Sequence, residues 1–281
     1  MRSSRGRVMA MALALWGAVS ATAVAQAPSD MQNPQIDIRY LQPDSAAYRP
    51  IHDRLKQRRV LEQLRQFLAP LRLPRRLAVN TGQCDAAARP YRPQGPVTIC
   101  YEMVEQIERI AAKADPVERD SVIAGTIVLA VFHEVAEAVF DILQVPIWGR
   151  REDAADQLAA FIMLQFSEEV ALRTILGAAT FFQLSGRSWT GSDLADRNAP
   201  EAQRFFNFLC MAYGASPKSF EFLVVPGADG QPMLPENRAV RCAAEYASVR
   251  KAFNLRIMPH VDADLLVRVR AVQWLMPGDR K

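Results

Sequence analysis

Residues 122–143 read Val-Ile-Ala-Gly-Thr-Ile-Val-Leu-Ala-Val-Phe-His-Glu-Val-Ala-Glu-Ala-Val-Phe-Asp-Ile-Leu. The run is almost uniformly apolar over a length that makes a helix of about six turns, and a helix apolar on all faces belongs in the centre of a core. Three ionisable residues interrupt it early in its second half: His133, Glu134 and Glu137. His133 and Glu137 are four apart, about 400° of helical rotation, which sets both on one face where they can share a metal ion.

Working outward, Asp115-Pro116-Val117-Glu118 supplies a capping carboxylate, a first-turn proline and a glutamate three residues after the cap, a helix start. Pro146-Ile147-Trp148-Gly149 is a break, after which a second long helical pattern runs from Arg151 through Phe161, Ile162, Leu164, Phe166, Val170, Leu172, Ile175 and Leu176 toward Ser185. It opens with Glu152, Asp153 and Asp156. The connecting turn is short, so two buried antiparallel helices bring their polar residues together. Arg49 to Pro70 reads as an amphipathic helix, Leu77–Asn80 and Pro96–Tyr101 as short strands, and Glu102–Ala114, Pro200–Tyr213 and Arg238–Phe253 as further helices. No repeat or long linker divides the chain. These patterns predict one mostly α-helical α+β domain with a small β-hairpin or sheet.

The chain has 281 residues, 50% apolar and 23% charged, the composition of a folded soluble protein. Arg2, Arg5 and Arg7 precede an apolar run from Val8 to Val19, and Ala23-Val24-Ala25 is a small-x-small cleavage site. That pattern is a secretory signal peptide, residues 1–25, leaving 26–281 as the mature domain in the periplasm or outside the cell. Losing three arginines from a formal charge of +4 leaves the mature chain nearly neutral. No basic stripe remains for phosphates or anionic lipid, which excludes nucleic acid and stable membrane insertion as default partners.

Four cysteines fit an oxidising destination. They allow three pairings, and the local ones are expected: Cys84 with Cys100 across a hairpin, and Cys210 with Cys242 tying two helices together. Each closure stabilises by about 3 kcal/mol on the loop-entropy model.

His133-Glu134-Val135-Ala136-Glu137 departs from the H-E-x-x-H helix of zinc peptidases at its last position, with Glu134 in the place of the general base. Glu152-Asp153-Ala154-Ala155-Asp156 has the form E-x-x-A-D. With Phe67 to Pro74, the Cys84 to Glu102 stretch, the helix pair from Phe132 to Leu158 with Gly149-Arg150, and Cys210 with Cys242, the chain resembles a family of exported bacterial zincin-like metallopeptidases long catalogued as a domain of unknown function. The resemblance covers most of the mature chain. It implies a peptide or protein substrate and a divalent metal, zinc or a harder ion such as manganese, held by His133, Glu137 and Glu152 with one position open for water. Glu134 then takes the water proton and passes it to the leaving amine, and Asp156 fixes the tautomer of His133. Relatives carry histidine where this chain has Glu137, so the metal here is the weaker Lewis acid and activity is reduced, redirected or lost.

Several carboxylates in apolar segments need a cation, because burying them unpaired costs several kcal/mol. A divalent ion is one answer. An arginine-paired structural cluster is the other, with Arg150 and Arg151 at hand, and the corresponding function is a catalytically inactive periplasmic protein that keeps the scaffold for structure or partner binding. No oxyanion stabiliser is legible; Tyr101, Tyr213 and His260 are polar candidates without a spacing argument. His260-Val261-Asp262-Ala263-Asp264 reads as a solvent-facing turn with helix-capping carboxylates, and His52, among charges, as solvent-facing. There is no phosphate loop and no nucleophile elbow.

Overall fold

The computed structural model describes residues 35–84, 91, 93–186, 198–227 and 230–270; the leader read in residues 1–25 lies outside them. Strand β1 (Ile36–Tyr40), helices α1 (Arg49–Gln57) and α2 (Val60–Phe67), and strands β2 (Leu77–Gly82) and β3 (Val97–Cys100) come first. Then follow α3 (Tyr101–Ala111), α4 (Arg119–Ile142), α5 (Arg151–Met163), α6 (Glu168–Ser185), α7 (Glu201–Ala215), α8 (Glu236–Ala239), α9 (Cys242–Arg256) and α10 (Ala263–Arg270). The fold is the expected α+β class, mostly helical.

Helix α4 is the axis of the molecule. More than half of its residues are buried, and although it is long and apolar enough to cross a membrane, 72% of its most apolar window is covered by the rest of the chain. It lies unusually close to α6, and glycine permits this. A Cβ built on Gly177 would meet the Ser121 carbonyl oxygen at 2.0 Å, and one on Gly125 the Thr174 oxygen at 2.3 Å, both impossible contacts. The turn into α5 uses Gly149 at φ 101°, a left-handed conformation that a side chain would strain.

Several local expectations need correction. The two short strands do not form a hairpin: β1, β2 and β3 make a three-stranded sheet in that order, both pairs parallel, with Val79 opposite Val97 and Gly82 opposite Cys100. The disulfide explains why. Cys84 follows the end of β2 and Cys100 ends β3, and only parallel strands bring both ends together, over a connection (83–96) long enough for the crossover. The segment from Arg49 is two helices, divided at Arg59, whose φ of 52° is left-handed. The pattern from Arg151 to Ser185 is also two, α5 and α6, broken at 164–167. Asp115 caps the turn before α4 by accepting from the Val117 backbone N–H (2.9 Å), and α4 itself begins at Arg119.

Both local disulfides are present, Cys84–Cys100 and Cys210–Cys242, the latter joining α7 to α9. Asp262 accepts from the Leu265 backbone N–H at 3.0 Å and so caps α10, as its turn reading requires. His52 is the opposite of its reading. It is 3% exposed, edge-on to Tyr101 and bonded to Asp53 (2.8 Å), because α1 turns it inward with Ile51 and Leu55.

Candidate active site

Helix α4 carries His133 and Glu137 one turn apart, α5 carries Glu152 and Asp156 one turn apart, and α7 brings Arg204 against them. All four acidic and imidazole groups are buried, each between 5% and 7% exposed. The His133 ring spans the two α5 carboxylates. Its Nδ1 lies 2.8 Å from Asp156 Oδ1 and its Nε2 3.1 Å from Glu152 Oε2. Arg204 then grips Asp156 with two bonds, Nε to Oδ2 at 2.7 Å and Nη2 to Oδ1 at 2.8 Å, while its guanidinium stacks 4.3 Å from the Phe182 ring centroid.

Glu137 belongs to a different group. Arg151, the first residue of α5, donates from Nε to Glu137 Oε1 (3.0 Å) and from Nη2 to the Glu137 carbonyl oxygen (2.6 Å), and the same Nη2 lies 2.8 Å from Asp141 Oδ1. Tyr91 donates to Asp141 Oδ2 at 2.9 Å. The structure therefore brings together His133, Glu152 and Asp156, with Glu134 lining the same cleft, and sets the Glu137 carboxylate on Arg151.

The cleft beside this centre has a volume of about 230 Å³. Met103 and Ile107 of α3, Leu129 of α4, and Phe181 and Phe182 of α6 form an apolar wall, and His133, Glu134, Glu152 and Arg204 line its polar part. None of the proposed oxyanion candidates reaches it. Tyr101 is buried elsewhere, donating to the Leu41 carbonyl oxygen at a contact it shares with Thr81, and Tyr213 and His260 are absent from the cleft lining. Arg204 is the member of this centre that sequence reading missed. It sits in a helix far along the chain with no motif around it.

Burial disfavours a charge on His133, but its bonds to Asp156 and Glu152 outweigh that and push its pKa up to about 9. Burial likewise works against the Asp156 carboxylate, and Arg204 with His133 overrides it, holding the pKa below the usual range. The imidazole of the unfolded chain titrates at about 6.5. Its contribution to stability is thus complete below pH 6.5 and disappears as pH rises through about 9. Urea midpoints between pH 6 and 10 should fall for the parent protein relative to His133→Asn across that window; parallel profiles would show that His133 does not gain its proton from this site.

Taken together, the fold and site define an α+β protein with a buried histidine–carboxylate–arginine centre set on paired helices at the base of a cleft. Residues 40–255 match the model of the family described as "Putative metallopeptidase", and the chain belongs to that family. No curated protein and no solved structure matches the chain. The family implies a divalent metal. The described residues as placed do not fit a catalytic one: His133 Nε2 and Glu152 converge, but Glu137, the third donor the motif spacing suggests, is held by Arg151. No group of three or more His, Cys, Asp or Glu among the described residues is arranged to hold an ion, whereas catalytic zinc takes three protein ligands.

Proposed function

We propose that this protein is an exported, non-hydrolysing member of the metallopeptidase family, one that keeps a zincin-like helix pair and uses the adjoining cleft to hold a peptide segment. The observation that carries the reading is the bond from Arg151 to the Glu137 carboxylate, which satisfies with a guanidinium the group that would otherwise complete a metal centre. A cleft of about 230 Å³ with an apolar wall and charged groups at one side suits a peptide side chain or two. Two disulfides point to an oxidising compartment, which supports export.

The test is turnover. Casein is incubated with mature protein (26–281), with and without a chelator, beside Glu134→Gln. The expected result is no cleavage above that of Glu134→Gln and no chelator effect, with labelled casein fragments still bound saturably. Chelator-sensitive cleavage that Glu134→Gln abolishes would overturn the proposal in favour of the second reading, peptide hydrolysis by a metal-activated water. That reading draws support from the Asp156 bond that orients His133 and from Glu134 lining the same cleft; it requires Glu137 to leave Arg151 and join His133 and Glu152 around zinc or manganese.

A further inference from the structure

Buried carboxylates need a counter-cation, and a chain can supply it as a bound ion or as a side chain. On α4, Glu137 and Asp141 are one turn apart, 6% exposed for the former and 24% for the side chain of the latter. One guanidinium serves both: Arg151 contacts Glu137 Oε1 at 3.0 Å and Asp141 Oδ1 at 2.8 Å. It also bonds the Glu137 carbonyl oxygen at 2.6 Å and lies 5.8 Å from the Phe140 ring centroid. These contacts over-determine its position. Arg151 immediately precedes Glu152, whose carboxylate meets His133 Nε2 at 3.1 Å, and its own charge is anchored on Glu137, the third donor that an ion at His133 and Glu152 would need.

We propose that Arg151 is the resident cation of this centre and a determinant of metal exclusion: it captures the Glu137 carboxylate and holds a fixed positive charge on the donor that an ion at His133 and Glu152 would need. The inference rests on the reading that this site does not take a catalytic metal, and adds that position 151, and not position 137 alone, sets that property. Two effects act together. A divalent ion must strip Glu137 from a partner that already satisfies it, and must approach a guanidinium of like sign, a repulsion that solvent weakens because the Arg151 side chain is 38% exposed.

The experiment compares the mature protein with Glu137→His, Arg151→Gln, Arg151→Lys and the double variant Glu137→His/Arg151→Gln. Zinc binding is measured by titration calorimetry, and cobalt binding by the visible absorption of a four-coordinate ion. The double variant, which removes both charges of the pair and leaves an imidazole donor, should bind zinc about tenfold or more tightly than Glu137→His alone. Zinc should raise the melting temperature of Arg151→Gln, which leaves the buried Glu137 and half-buried Asp141 carboxylates without their guanidinium, and should not raise that of Arg151→Lys, which keeps the charge. Where Arg151→Gln does not fold without metal, the double variant decides. Equal zinc affinity in Glu137→His and the double variant would overturn the proposal, as would failure of both to bind. Metal-dependent cleavage by the parent protein would instead sink the functional reading, so the two failures are distinguishable.

Discussion

Arg204→Met should destabilise the protein by about 3–5 kcal/mol, the range for removing one partner from a buried ion pair. Asp156 is 7% exposed and receives two bonds from Arg204, at 2.7 and 2.8 Å. The variant leaves this carboxylate with His133 as its remaining cationic partner, and also loses the guanidinium stacked on Phe182 at 4.3 Å. Placing Asp156→Asn in the same background should recover part of the loss, because it removes the unpaired charge. The measurement is the urea midpoint at constant slope. A loss below about 1 kcal/mol would class the pair with solvated surface bridges and would remove Arg204 from the centre.

The second large effect is expected at the disulfide between Cys210 and Cys242. Both cysteines are fully buried, and the bridge closes a separation of 32 residues between α7 and α9. Counting the full separation of 32 residues, loop-closure entropy raises the expected stabilisation from about 3 to about 4 kcal/mol. Here α7 and α9 also approach so closely that a Cβ on Gly214 would lie 2.2 Å from the Cys242 carbonyl oxygen. Since α7 carries Arg204, loosening this junction should reach the buried centre as well. Cys210→Ala/Cys242→Ala should lower the unfolding free energy by about that amount. An unchanged urea midpoint would show that packing of the two helices holds the junction without the bond.

The fold class, the central helix and both disulfide pairings were legible because each rests on local pattern: an unbroken apolar run, and cysteines near one another in the chain. The strand arrangement was not, since parallel pairing is a long-range choice. A cue was present nonetheless, as Cys84 and Cys100 both lie at strand ends that only parallel strands bring together. His52 was misread for a related reason. Its charged neighbours describe the outer face of α1, and its own position one residue after Ile51 turns it inward. At the site, the short turn between two antiparallel helices is what brings His133 to Glu152 and Asp156, whereas helical spacing paired His133 with Glu137, which Arg151 holds instead; the need for a counter-cation was equally readable. Which cation could not be read. Arg151 stands in the motif region, but its aim toward Glu137 depends on how α5 leaves the turn at Gly149. Arg204 comes from a helix that no spacing rule connects to Asp156.

On the proposed function, Arg151, Arg204 and His133, and not a divalent ion, neutralise the acidic groups of this centre. The most direct test is metal analysis by mass spectrometry of the protein spanning residues 26–281, after equilibration with excess zinc and removal of the unbound ion. Far less than one ion per chain is the expected result. One tightly held ion per chain, released only by a strong chelator, would contradict it.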